Sequence, residues 1–228
     1  MDVHAPHHPI SGWKDFFVHL ITITVGLLIA VGIEGLVERH REHVLVREAR
    51  ETLRREVEHN NATMKDTLGT LTGQLAALKK DRNALARVQE HPRDKAAQNA
   101  SLDASFRMVG LEDTAWRTAE STGALGFMPY EAAQKYADVY GMQKAFEDQE
   151  TKILEDEARF LGTLAKVDID RGTLTAEQAG ALQEVLGTWS AHLVYLELMA
   201  RVSSQTDQAF LDGKDAPKSM SINMSGGK

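Results

Sequence analysis

The sequence predicts an all-α protein: an N-terminal transmembrane helix continuing into a stalk and an antiparallel helical bundle. Three observations carry that expectation. Residues 16–33 hold no formally charged side chain. Apolar residues recur at heptad spacing in later stretches. No useful length of chain alternates at period two, so strands are not expected.

The uncharged run of 18 residues makes about 27 Å of helix at about 1.5 Å per residue. That nearly spans a hydrocarbon core of about 30 Å, and Val37 completes the crossing. A cleaved signal peptide is the competing reading. The run is too long for an ordinary h-region, only Lys14 precedes it as a fixed cation, and no small-x-small site follows Glu34. A buried soluble helix is the blander alternative. An uncleaved anchor over 16–37 is expected, with the lipid bilayer as its partner. Before it lies a tail, 1–15.

Within the anchor Thr22, Gly26 and Ala30 are spaced four apart, on one helical face. Small side chains let two backbones approach closely, so the row is a candidate for self-association and a homo-oligomer is expected. Small residues are also common in spans that associate with nothing. His19 and Glu34 read as interfacial groups wetted at the two ends. The basic residues near the span, Lys14 before it and Arg39, Arg41 and Arg47 after it, point to a cytoplasmic C-terminal region. Glu38, Glu42 and Glu48 interleave with them, and the side is left open.

Residues 38–56 mix acidic and basic side chains and predict a solvated stalk helix with intrahelical ion pairs. A heptad then runs through Val57, Asn61, Met64, Leu68, Leu71, Leu75, Leu78, Arg82 and Leu85. Pro92 ends that helix. Residues 93–128 look more broken: Ser101 is placed to cap a brief helix through Met108, and Asp113 or Thr114 another ending near Gly123. Gly123, Gly126 and Pro129 form a turn, with Pro129 at the start of the next helix. In that helix Val139, Phe146, Ile153, Phe160 and Val167 recur at sevens, up to the polar stretch 168–172. Thr175 and Gln178 have capping-box spacing and open the last helix, whose core face is Leu182, Leu186, Trp189, Leu193 and Leu196. The bundle is thus expected over 57–212, with a disordered tail over 213–228.

The apolar run "TVGLLIAVGIEGLVERHREH" and the later "TAWRTAESTGALGFMPYEAAQKYADVY" together resemble a broad class of uncharacterised bacterial single-span proteins. That class pairs an N-terminal anchor with a helical domain. The matching positions are Trp116, Ser121, Thr122, Gly123, Ala124, Leu125, Tyr136 and Tyr140. The resemblance covers the first two thirds of the chain and implies a bacterial inner membrane location. It implies no activity. A more basic N-terminal flank, frequent in that class, is missing here.

Composition excludes several functions. A formal net charge of −7 argues against nucleic acid as a partner. The absence of cysteine removes disulfides, thiolate metal sites and cysteine nucleophiles. The chain has no Walker loop, GxSxG elbow or GxGxxG. Glu56 and His59 have Glu-x-x-His spacing, but no second such pair exists for a di-iron bundle, so a solvated stalk pair is expected. His40 and His43, and the tail residues His4, His7 and His8, lack a preorganised frame. No metal, cofactor or catalytic residue is expected, and no set of nucleophile, base and electrophile marks an enzyme.

The best candidate surface is Trp116, Arg117, Tyr136 and Tyr140, beside the Gly123–Pro129 turn. Polar-tipped aromatics at such a break can form a pocket or a partner surface, or close the core. Two classes of function follow: a membrane-anchored interaction or scaffold protein with an unknown protein partner, or a ligand-sensing bundle with a pocket near Trp116 and Tyr136.

Overall fold

The computed structural model describes residues 12–99, 101–167 and 173–215. The tail histidines His4, His7 and His8, the stretch 168–172 and residues 216–228 lie outside the described residues. Among those described there is no strand. The helices are α1 (Trp13–Glu90), α2 (Lys95–Gln98), α3 (Thr114–Ser121), α4 (Tyr130–Leu164) and α5 (Ala176–Leu211), with a 3-10 turn at Ala124–Phe127.

The chain divides into two units, Met1–Glu48 and Ala49–Lys228. In the first, α1 begins at Trp13, and none of its most apolar 18-residue window is buried. It is long and apolar enough to cross a membrane. Thr22 and Thr24 return their hydroxyls to the carbonyls of Val18 and Leu20 at 2.8 and 2.7 Å, so neither hydroxyl is left unpaired on the apolar surface.

The second unit is a helical bundle. Its packing starts at Ala49, with Leu53 fully buried, inside the segment whose charge pattern suggested a solvated stalk. Glu56, expected in water, is only 6% exposed. The heptad residues Val57, Met64, Leu71, Leu78 and Leu85 are all buried, as are Val139, Phe146, Ile153 and Phe160 of α4. Leu182, Leu186, Trp189, Leu193 and Leu196 of α5 complete the core. Burying each such side chain is worth about 1.5–3 kcal/mol before chain entropy is charged against it. Helix α5 starts with the expected capping box: Thr175 and Gln178 exchange side-chain and backbone bonds at 2.9 and 3.1 Å.

Helix directions follow from cross-links. Tyr136 lies by Arg50, Tyr140 by Glu56 and Gln143 by Asn60, so α4 runs parallel to α1. Helix α5 runs antiparallel to both: Ser204 bonds Asn61, Gly180 sits against Gln89, and His192 bonds Asp156. Two parallel neighbours need a return connection, and residues 101–113 provide it.

The helix suggested by Ser101 through Met108 does not form; the segment has no regular secondary structure. The geometry explains why. The Asp103 N–H donates to the Asp81 carboxylate at 2.8 Å, and the Glu112 N–H to the Asn60 side chain at 2.9 Å. Those acceptors are 21 residues apart on α1, about 32 Å of helix. The nine-residue step from 103 to 112 covers about 31 Å when extended at about 3.4 Å each, but only about 14 Å as a helix. Only an extended strap closes the circuit.

Among the described residues no strand flanks the strap, so its N–H groups must pair elsewhere. Phe106 donates to Glu157 at 3.2 Å and Val109 to Glu150 at 2.8 Å, both on α4. Three extended residues advance about 10 Å, matching the rise of seven helical residues. Each third N–H therefore meets the next heptad of a flanking helix. Between these bonds Leu102, Ala104, Phe106 and Leu111 pack on the core.

Candidate binding cleft

Where the strap ends, α3 starts, and its first turn is held by Glu56. The carboxylate accepts the N–H groups of Ala115 at 2.7 Å and Trp116 at 3.3 Å, two donors that a helix start leaves unpaired. The Tyr140 hydroxyl donates to the same carboxylate at 2.7 Å. Tyr140 is buried, and burial first, then Glu56, holds its phenol far above the ordinary tyrosine range. One α1 side chain thus positions both Trp116 and Tyr140, whose rings stack with centroids 4.9 Å apart and planes at 26°.

Beside this pair lies a cleft of about 290 Å³. Its walls are Trp116 with Leu111, Glu112 and Asp113 on one side, and Tyr140, Gln143, Lys144 and Glu147 of α4 on the other. Ala137 and Gly141, exposed and one turn apart on α4, complete the lining. A Cβ added at Gly141 would meet nothing within 4 Å. The small residues of α4 leave open space on that side of the cleft.

The charge in the cleft is mostly negative. Burial, then the neighbouring Asp113, raises the Glu147 carboxyl above its ordinary value, against Lys144 and the Leu111 N–H. Lys144 is bound to Asp148 at 2.8 Å, and Asp113 to Arg117 at 3.0 Å.

The four candidate residues therefore separate. Trp116 and Tyr140 line the cleft together. Tyr136 faces away, its ring 4.7 Å from Phe210 and its hydroxyl 3.4 Å from the Arg50 carbonyl. Arg117 lies at the surface in its pair with Asp113. The Glu-x-x-His spacing predicts a solvated pair of Glu56 and His59; instead Glu56 is buried and builds the wall, and His59 lies exposed, 3.7 Å from Glu112.

Behind the aromatic wall a polar layer crosses the bundle. Asn60 donates to Gln143 at 2.9 Å, and Gln143 donates to both Asp207 oxygens at 3.2 Å. Burial pushes Asp207 up to about 7, against Gln143 and Lys65. Burial likewise pushes Glu150 up to about 7, partly offset by the Val109 N–H. Among the described residues no group of three His, Asp or Glu side chains could hold a metal ion.

No protein-family model, curated protein or solved structure matches this chain.

Proposed function

We propose that the chain is a single-pass membrane-anchored helical interaction or scaffold protein with a non-catalytic role. The observation that carries this reading is the division of labour along α1. Its N-terminal window has a mean hydropathy of 2.4 and no buried residue, whereas the residues after Ala49 pack into a bundle. Exposing about 18 apolar residues to water is costly, and a bilayer removes that cost. The resemblance to bacterial single-span proteins supports an inner membrane location. Membranes carrying the full chain, washed with alkaline carbonate, should retain it. Release into the supernatant would overturn the anchor.

A ligand-sensing role is the second reading, favoured by the cleft at Trp116 and Tyr140. The wall is assembled before any ligand arrives, because Glu56 already holds both aromatic residues. Preassembly lowers the ordering cost of binding.

A further inference from the structure

We propose that the cleft between α3 and α4 binds an alkylammonium cation, with Trp116 and Tyr140 as its aromatic wall, Glu147 as its counter-charge and the open space beside Gly141 as the seat of its methylenes. The proposal rests on the ligand-sensing reading of the same cleft.

Three features point to this chemistry. Aromatic faces attract cations, and more strongly where water is partly excluded. The lining carboxylates Glu112, Asp113 and Glu147 outnumber the one cation, Lys144, which is already engaged by Asp148. Asp113 is paired with Arg117, and the Glu112 carboxylate lies at the surface 3.7 Å from His59, so Glu147 is the carboxylate that a bound cation would neutralise. An anionic ligand would meet the Glu147 charge without relief, and a purely apolar one would desolvate it further with only the Leu111 N–H as partner. The volume of about 290 Å³ is near the lower end of small-molecule pockets, suiting a short aliphatic chain. The ammonium could come from a diffusing diamine or from a lysine side chain of a partner.

The test is calorimetric titration of the full chain in detergent micelles with 1,5-diaminopentane, Nα-acetyl-lysine amide and 1-pentanol. The amines should bind and the alcohol should not. Gly141→Leu should abolish binding by occupying the space beside Gly141; it keeps the fold, because the site has room and leucine is a better helix former than glycine. Glu147→Gln and Trp116→Phe should each weaken amine binding, the first by about tenfold and the second less. A preference for the diamine assigns the source to small molecules, and a preference for the lysine amide to a partner chain. Equal binding of alcohol and amines, or full affinity in Glu147→Gln, overturns the cation assignment. The cleft stays a ligand site in that case if Gly141→Leu still abolishes binding. No heat from any probe, in a chain whose melting shows it folded, overturns the cation proposal; a neutral or acidic fragment bound by wild type and lost in Gly141→Leu would then preserve the ligand-sensing reading alone.

Discussion

The Tyr140 hydroxyl and the Glu56 carboxylate meet inside the bundle at 2.7 Å, 84 residues apart in the chain. That bond joins α1 to α4, while the other bonds of Glu56 tie α1 to the first turn of α3. One side chain therefore connects the packing of the bundle to the shape of the cleft.

Glu56→Ala should leave the Tyr140 hydroxyl and two backbone N–H groups without their acceptor. Each unpaired buried donor costs about 1–3 kcal/mol, partly relieved by entering water. A loss of about 2–4 kcal/mol in unfolding free energy is expected by denaturant titration, with weakened near-ultraviolet dichroism from Trp116. Tyr140→Phe should cost less, about 1–2 kcal/mol, since one bond is lost and the N-terminal turn of α3 keeps its acceptor.

Stability should fall as pH rises from about 4 to about 7. Burial raises Glu150 and Asp207 to about 7 in the folded chain, whereas unfolded carboxyls titrate near 4. In that window the folded chain holds more protons than the unfolded one. The stabilisation is full below the unfolded values and is lost as pH passes through the folded values. The two groups together should change the unfolding free energy by a few kcal/mol, on the order of one to three each. Melting curves at pH 5 and pH 8 measure the slope, and Glu150→Gln with Asp207→Asn should flatten it. An unchanged slope in the double variant would refute the assignment.

Asp81→Ala should release one end of the strap. It removes the acceptor of the Asp103 N–H, and no strand among the described residues offers the strap another ladder. Hydrogen exchange at residues 103 and 104 should quicken by about tenfold or more, while α5 amides near Leu193 stay protected. Uniform acceleration throughout the bundle would mean that the strap is not a separate opening unit.

For the anchor, the row Thr22, Gly26 and Ala30 should mediate helix self-association in lipid. A Cβ at Gly26 has no neighbour within 4 Å, so Gly26→Ile leaves the helix itself intact while blocking close approach of a second copy. Energy transfer between labelled span peptides in vesicles should drop in Gly26→Ile and persist in Leu28→Ile. Equal transfer in wild type and Gly26→Ile would reduce the row to lipid-facing filler.

Much of the architecture was determined locally and was therefore legible in the sequence. A run of 18 uncharged residues is apolar whatever surrounds it. The heptads of α1 and α4, and the Thr175 cap with its Gln178 partner, depend on spacing within one helix. What only the tertiary structure decided was the path of 101–113 and the construction of the cleft. Read alone, that segment could cap a short helix; it is extended because a parallel pair of long helices must be bridged. Its hydrogen-bond partners lie on two other elements, at Asn60 and Asp81 of α1 and at Glu150 and Glu157 of α4. Asn60, Thr67, Gln74 and Asp81 recur at sevens on α1, and Gln143, Glu150 and Glu157 on α4, as polar rows beside the apolar ones. Polar residues in a heptad register pass for the solvated face of a helix. Whether they face water or a strap depends on what packs against them, and spacing within one helix carries no record of that.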